Sequence, residues 1–371
     1  MGKAFGMRIM QAYPEVQYGD AISSIMLRLH EINIEQGWED TMLAYTSQLP
    51  EVQHFGIAQS YTKAQLLKKF MQMPDKKKNI KAYLAQRQAS PINLGSIIQD
   101  ADIRIWHLGI TYKLMEQNIQ PNDFVFFYGL NYPYLSASPE AIIESYKALT
   151  WLKALKPRMV AESQWTASQL ISLGYQKESI TILPLFHAYS EPYRKHDASK
   201  PKLLAYGRYA KNKRIPEIAR MCYENDISLI AFGDNSKYAE FRQQHAQASQ
   251  YATKSIRLLG KQASRDRFYD EANIYICNSE NEGFNMGIVE SYANSLPVLA
   301  RRGTAMDELV KDGYNGFLFS DISEVPGLIA KIMKNYKQMS YNAWQHSQNF
   351  TYEKFKERYL RILSEYKKVR R

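Results

Sequence analysis

The 371-residue sequence contains few cysteines and no long apolar run. Its two cysteines, Cys222 and Cys277, form neither a Cys-x-x-Cys pair nor the dense, even spacing of a disulfide scaffold. No stretch approaches the ~20 apolar residues of a membrane-spanning helix, and the first residues lack the apolar core of a secretion signal. The sequence therefore argues against structural zinc, a disulfide framework and a transmembrane segment, and it predicts a cytoplasmic protein.

Positive charge is in excess. Forty-eight Lys and Arg residues stand against 37 Asp and Glu, a net charge of +11. Such a surplus favours an anionic partner: nucleic acid, acidic lipid headgroups or a phosphorylated small molecule. The basic runs at 76–78 and 367–371 are interpreted as solvated faces, with peripheral contact at the inner face of an anionic membrane as the functional alternative. No nucleic-acid-binding motif is present, so we expect no nucleic-acid partner.

Length and hydrophobic patterning predict two α/β domains. A chain of 371 residues exceeds what one core usually serves. Short β-branched and aromatic runs recur, each followed by an amphipathic stretch of helical length, which is typical of parallel sheets with crossover helices. The strands are expected at residues 7–12, 41–46, 103–108, 124–128, 159–161, 180–183, 203–206, 229–232, 256–259, 274–277, 298–300 and 317–319.

The polar segment 187–200 has no apolar period and is predicted to be an interdomain linker. We therefore predict two Rossmann-like, doubly wound domains, an N-terminal acceptor-binding domain at 1–190 and a C-terminal donor-binding domain at 198–350. The remaining segment, 351–371, has a one-sided apolar stripe and is predicted to be a helix that crosses back to the first domain. In doubly wound folds, ligands bind at the carboxyl ends of the strands.

Two acids follow the strand predicted at 274–277. Glu282 lies on the loop at the end of this strand, and Glu290 lies on the second turn of a helix that begins at about Met286. The start of a helix presents free N–H groups and a positive dipole end to an anion or to sugar hydroxyls. Two carboxylates there can hold separate parts of one ligand. The alternative makes Glu282 a helix-start charge and Glu290 a surface residue.

The spacing of these acids is similar to a known signature. Glu282 stands in the tripeptide EGF and Glu290 in VES, and LPVLA and GTAMDE follow them. This pattern resembles the donor site of retaining glycosyltransferases with the GT-B fold, family 4. The departures are Asn-Met-Gly at 285–287, where Gly-Leu-Pro is common, and Ser-Leu at 295–296, where Gly-Thr is common. The residues that the resemblance assigns to donor binding are Glu282, Phe284, Asn285, Met286, Gly287 and Glu290.

A second match lies in the segment 207–214, directly after the strand predicted at 203–206. Arg208, followed five residues later by Lys213, resembles the pair of cations that clamps the donor diphosphate in this family. A departing nucleoside diphosphate gains negative charge as the glycosidic bond breaks, so fixed cations favour the transition state. The alternative is a basic surface loop.

The first half of the chain carries weaker matches. Gly19 and Asp20 resemble the glycine loop that closes over donor phosphate and acceptor, and His107 lies at a strand end where the family often has a histidine near the transferred sugar. A structural histidine is the alternative for His107. Asn131 and Ser163 also follow strands and are assigned to the acceptor side, although Ser163 is equally suited to cap a helix.

Two further features are assigned no chemistry. Asp100 and Asp102 match the metal-binding Asp-x-Asp motif of a different glycosyltransferase fold, but they precede a strand and are interpreted as turn residues. Glu308 resembles a family glutamate whose role is mostly architectural. The fold that the sequence resembles needs no metal, so we expect neither a metal nor another cofactor.

The resemblance implies a hexosyltransferase that retains the anomeric configuration. The donor would be a UDP-, GDP- or ADP-sugar, and the acceptor a hydroxyl of a glycan or of a lipid-linked oligosaccharide in cell-surface polysaccharide synthesis. The alternative is a catalytically inactive subunit that binds nucleotide sugars or serves as a scaffold in a glycan assembly complex.

Overall fold

A computed structural model describes residues 7–13, 15–16, 21–44, 46–47, 53–54, 97, 99–107, 119–129, 147, 149–189 and 192–370. Contacts divide the chain into two compact units. The first takes its described residues from Met1–Phe127, Ile143–Val160 and Leu173–Thr181, and the second takes them from Tyr128–Ile142, Ala161–Ser172 and Ile182–Arg371.

The first half of the chain forms a seven-stranded sheet with the order β5-β3-β1-β6-β7-β8-β9, and a two-stranded sheet, β2-β4. The elements are β1 Arg8–Ala12, β2 Glu15–Val16, α1 Ala21–Glu35, β3 Glu39–Ala44, β4 Thr46–Ser47, β5 Gln53–His54, β6 Ile103–His107, β7 Phe124–Phe127, β8 Arg158–Ala161, α2 Gln164–Ser172 and β9 Ile180–Ile182. β1 pairs in parallel with β3 on one side and with β6 on the other. The chain therefore reverses its winding direction between β1 and β6.

The strand β7 of this sheet is apolar on both faces. All four residues of β7, with the sequence FVFF, are buried, as expected for a parallel strand covered on both faces. Asp102 lies in the turn before β6, where its carboxylate accepts the backbone N–H of Arg8 over 2.9 Å. The side chain of Asp102 thus helps to set the start of β1.

The second half forms a six-stranded parallel sheet with the order β12-β11-β10-β13-β14-β15. Its elements are β10 Lys202–Tyr206, α3 Ile215–Glu224, β11 Ser228–Phe232, α4 Ala239–Ser249, β12 Ile256–Leu259, α5 Asp266–Glu271, β13 Ile274–Cys277, α6 Met286–Ala293, β14 Val298–Arg301, α7 Met306–Leu309, β15 Gly316–Phe319, α8 Val325–Lys334, α9 Tyr336–Ser347 and α10 Tyr352–Arg370. The strand order runs outward from β10 to β12 and then returns to β13 beside β10. The switch point of this sheet lies between β10 and β13.

The helix α10 is held by its apolar stripe. Phe355, Tyr359 and Leu363 are each about 1% exposed, and the ring of Phe355 lies 4.7 Å from the ring of Phe186. Among the described residues, no helix combines the length and the apolar character needed to cross a membrane.

The predicted fold class is confirmed: both halves are Rossmann-like α/β sheets, and each predicted strand overlaps a strand of the structure. The short strands β2, β4 and β5 were not predicted. The predicted domain bounds, and the return of the last helix to the first domain, stay predictions. Within the predicted linker, Arg194 belongs to the second unit, and its backbone N–H donates to Ser295 Oγ over 2.9 Å.

Candidate functional site

Two loops meet at the switch point of the second sheet. Residues 207–214 follow β10, and residues 278–285 follow β13, its hydrogen-bonded neighbour. The backbone N–H of Glu280 donates to the carbonyl oxygen of Asn212 over 3.0 Å and ties the loops together. Because the carboxyl ends of parallel strands share one edge, a ligand crevice is expected at this switch point.

Lys213 and Glu282 form an ion pair across these loops. Their side chains are 20% and 13% exposed, so both charged groups are largely withdrawn from water and still reachable by a ligand. A partly buried pair is screened by salt much less than an exposed one. The structure thus brings together the acid and one of the two cations that the sequence predicted.

Arg208 lies on the same loop and is exposed. Within the described part of the chain it has no ion-pair or hydrogen-bond partner. The backbone before it is tightly packed, since a Cβ atom added to Gly233 would lie 1.5 Å from the carbonyl oxygen of Gly207. The guanidinium of Arg208 is therefore exposed on the same tightly packed loop that carries Lys213.

Glu290 lies among two tyrosines and one arginine. Its Oε2 accepts hydrogen bonds from the hydroxyls of Tyr206 (2.6 Å) and Tyr269 (3.3 Å) and pairs with the guanidinium of Arg265. Burial, followed by the charge of Glu290, raises the pKa of Tyr206 well above its usual range, so this hydroxyl remains a donor. The carboxylate of Glu290 is therefore fixed in place near the end of β10.

The sequence did not predict the neighbours of Glu290. Tyr206 is the last residue of β10, and this position at a strand's carboxyl end was the available signal. Arg265 immediately precedes α5 and has no sequence signature. Its guanidinium lies 5.1 Å from the centre of the Tyr206 ring, so a cation–π contact adds to its ion pair.

The start of α6 is organised by Asn285. Its side chain accepts the N–H of Ile288 over 3.1 Å, and its amide group lies 3.0 Å from Cys277 Sγ. Asn285 has a φ of 33°, outside the helical region. The first N–H groups of a helix have no acceptor within the helix, so the backbone at Met286 can serve an anion or a hydroxyl.

Near this backbone, the side chain of Phe284 points into the protein interior, and Gly287 has no room for a side chain. The ring of Phe284 is buried and lies 5.8 Å from that of Phe350. A Cβ atom added to Gly287 would lie 2.3 Å from the hydroxyl oxygen of Tyr275, so a side chain there would collide with a buried ring. At Phe284 and Gly287, the groups left for a ligand are those of the backbone.

Ser163 lies against the same loop. Its hydroxyl caps α2 by accepting the N–H of Thr166 over 3.0 Å, and it donates to the carbonyl oxygen of Gly283 over 2.6 Å. The hydroxyl of Thr166 donates to the same oxygen over 2.9 Å. The geometry is that of a helix cap that also holds the loop, and the predicted acceptor contact of Ser163 stays a prediction.

Glu308 completes this contact. Its carboxylate accepts the backbone N–H groups of Gln164 (2.9 Å) and Trp165 (2.6 Å) at the first turn of α2. An acid at a helix start satisfies free donors and complements the helix dipole. Glu308 thus has an architectural contact that links α7 to α2.

Glu162 also lies against the loop 278–285, and the sequence did not predict it. It follows β8 directly and is 8% exposed. A Cβ atom added to Gly283 would lie 1.9 Å from Oε1 of Glu162, so the carboxyl group occupies the space that the glycine leaves free. Burial, followed by the charge of Glu282, raises the pKa of Glu162 to about 8. Its position at a strand's carboxyl end was the available signal.

His107 lies in the first unit, at the end of β6. It is 2% exposed, and its Nε2 lies 3.1 Å from Oε1 of Gln11. Burial lowers the pKa of His107 to about 3, so the ring is uncharged at neutral pH. Its predicted contact with sugar or acceptor stays a prediction. The predicted site residues Gly19, Asp20 and Asn131 lie outside the described residues.

Residues 200–337 match the model of a protein family described as glycosyl transferases group 1. A glycosyltransferase of Methanocaldococcus jannaschii, itself uncharacterised, is 32% identical over 106 residues, which are 27% of this chain and 30% of that protein. The chain spans between 22% and 50% of the length of four curated relatives.

Solved structures match over nearly the whole chain. A glycosyltransferase from Rickettsia africae gives a TM-score of 0.70 at 14% identity and covers 97% of this chain and 98% of that one. HepE of Anabaena, in complex with UDP and glucose, gives 0.69 at 16% identity and covers 97% and 100%. At these identities the likeness establishes the fold. The segment 200–337 is therefore similar to the glycosyl transferases group 1 family, and the chain has the GT-B fold, two Rossmann-like α/β domains.

Proposed function

We propose that this chain is a retaining glycosyltransferase. It moves a hexose or N-acetylhexosamine from a nucleotide-diphosphate sugar to a hydroxyl of a glycan or lipid-linked oligosaccharide, in cell-surface polysaccharide synthesis. The observation that carries the proposal is the grouping of Lys213, Glu282 and the start of α6 at the switch point of the second sheet, with Glu290 on the same helix. This edge offers a cation, two acids and free N–H groups, which match a diphosphate, a sugar and a ribose.

In this proposal each group has one role. Arg208 and Lys213 bind the diphosphate, and Glu290 binds the ribose hydroxyls. Glu282 and the backbone of 284–287 bind the sugar hydroxyls. Because Lys213 is paired with Glu282, donor binding would give Lys213 a diphosphate oxygen and leave Glu282 to a sugar hydroxyl.

The chemistry is a substitution at the anomeric carbon. The bond from this carbon to the diphosphate oxygen breaks, and a bond to the acceptor oxygen forms on the same face. The acceptor's proton passes to the departing phosphate, so no protein base is required. Arg208 and Lys213 offset the charge that builds on the leaving group, the role a metal ion has in other transferases. The proposal places His107 beside the transferred sugar or the acceptor.

A thermal-shift panel tests the donor class. We expect one of UDP-, GDP- and ADP-linked sugars to raise the melting temperature, because a ligand at 100 times its Kd adds roughly 2.7 kcal/mol to the free energy of unfolding. UDP-glucose is the first choice, since HepE holds UDP and glucose. If no nucleotide sugar raises the melting temperature above that of the protein alone, the proposal is contradicted. Binding without transfer or hydrolysis of the donor would favour the non-catalytic subunit.

The net charge of +11 supports a second part of the proposal, peripheral contact with an anionic membrane that carries the acceptor. We expect the protein to co-sediment with vesicles that contain anionic lipid at low salt and to be released at high salt, because exposed charges are screened. Neutral vesicles are the control. Equal sedimentation with neutral and anionic vesicles would refute this contact.

A further inference from the structure

The buried carboxyl group of Glu162 has no role in the mechanism above. Glu162 follows β8 and is only 8% exposed. It belongs to the same unit as Glu282 and Gly283. Its Oε1 would lie only 1.9 Å from a Cβ atom on Gly283, and its Cδ 3.1 Å from that atom. The carboxyl group therefore lies directly on the Cα of Gly283, one residue after the acid assigned to the sugar.

The backbone at Gly283 is tied to the segment that carries Glu162. The hydroxyls of Ser163 and Thr166 donate to the carbonyl oxygen of Gly283 over 2.6 and 2.9 Å, so the chain around Glu162 grips the loop. In the described part of the chain, however, the carboxyl group of Glu162 has no hydrogen-bond partner. A carboxyl group without a partner among the described residues is open to a hydrogen bond from a ligand.

We propose that Glu162 is a sugar-contacting residue of the donor site: its carboxyl group, seated on Gly283 beside Glu282, hydrogen-bonds to a hydroxyl of the sugar that the nucleotide carries. The inference rests on the proposed function and adds a third acid to the two that the sequence signature contains.

The protonation of Glu162 agrees with this role. Burial and the charge of Glu282 raise its pKa to about 8, so at neutral pH it is a carboxylic acid with one O–H donor and one acceptor oxygen. The charged groups that bear on it are Glu282 and, through the ion pair, Lys213. An uncharged acid next to a carboxylate can pair with a sugar hydroxyl from both oxygens, whereas the carboxylate of Glu282 repels an anion. The sugar is therefore a better partner for Glu162 than the diphosphate.

Binding of a nucleotide with and without its sugar tests the contact. The probes are UDP and UDP-glucose, or the diphosphate and sugar nucleotide that the thermal-shift panel selects. For Glu162→Leu we expect the Kd of the sugar nucleotide to rise roughly 10- to 100-fold, since a hydrogen bond to the sugar is lost, while the Kd of the free diphosphate changes less than about twofold. Glu162→Gln retains a donor and an acceptor and should bind both probes nearly as the parent does.

Every outcome bears on the inference. Loss of the sugar contribution in Glu162→Leu alone supports it. Unchanged sugar binding in both variants overturns it, as does equal weakening of both probes, which indicates a structural role. Loss of the sugar contribution in Glu162→Gln also overturns it, because the Gln variant keeps the uncharged hydrogen-bonding group. Failure of the unmodified protein to bind any nucleotide would instead refute the proposed function. The exposed Glu224, in an ion pair with Arg220, supplies the control Glu224→Gln. Where Leu impairs folding, Glu162→Ala removes the carboxyl group without adding an apolar chain, and the same outcomes apply to it.

Discussion

Replacement of Lys213 by alanine is expected to lower the turnover number by at least ~100-fold. A fixed cation on the leaving diphosphate contributes on the order of 2 to 4 kcal/mol to the stability of the transition state. Glu282→Ala should cause a loss of similar size, because the sugar contact proposed for Glu282 would orient the anomeric carbon. Initial rates at saturating donor and acceptor measure both effects.

The loops provide matched controls for these two variants. Lys211 lies in the same short turn as Lys213 and is exposed, and Glu280 lies two residues before Glu282 with a side chain 54% exposed. Lys211→Ala and Glu280→Ala should keep nearly the parental rate. The variants at 213 and 282 are expected to keep their fold, and circular dichroism checks this, because each variant leaves one charge of a partly buried pair without its partner. Near-parental turnover in both site variants would remove the proposed mechanism.

The grouping of Lys213 with Glu282 was predictable because both residues follow strands. In a parallel sheet all carboxyl ends lie at one edge, so a cation after β10 and an acid after β13 are placed together by the topology. The strands themselves were predictable because buried parallel strands are short, continuous apolar runs, as in IYIC at β13. Periodicity and position were sufficient for these features.

The surroundings of the acids were not predictable, because they depend on packing between distant parts of the chain. Tyr206 reaches Glu290 across 84 positions, and Ser163 reaches Gly283 across 120. Ser163 shows the limit clearly: the sequence suggested a cap or an acceptor contact, and the structure adds a hydrogen bond to Gly283 in the loop 278–285. The position of the Glu162 carboxyl group against Gly283 depends on the same contact between α2 and this loop.

Glu162 should also make the stability of the protein depend on pH. Its pKa is about 8 in the folded chain and 4.5 as an ordinary glutamic acid. Below pH 4.5 it is protonated in both the folded and the unfolded state and adds no pH dependence. Between pH 4.5 and 8 the unfolded state ionises while the folded state keeps its proton, so the free energy of unfolding falls by about 1.4 kcal/mol per pH unit. Above pH 8 both states are ionised and the slope ends.

The variant Glu162→Gln has no proton to lose, so it should not share this slope. We expect the melting temperature of Glu162→Gln minus that of the parent to rise between pH 5 and pH 8 and then to level off. The free energy involved is on the order of a few kcal/mol, and each kcal/mol corresponds to about 2 to 4 °C for domains of this size. Melting curves of both proteins at matched ionic strength measure the difference.

Glu224→Gln is the control for this comparison, because the side chain of Glu224 is 52% exposed and pairs with Arg220 at the surface. Its difference from the parent should stay nearly constant over the same pH range. Groups distant from positions 162 and 224 contribute equally in all three proteins, so their contribution cancels in the differences. A constant difference for Glu162→Gln as well would mean that Glu162 is ionised in the folded chain at neutral pH. An acid that destabilises the fold at neutral pH is expected at a functional site, where stability is given up for binding.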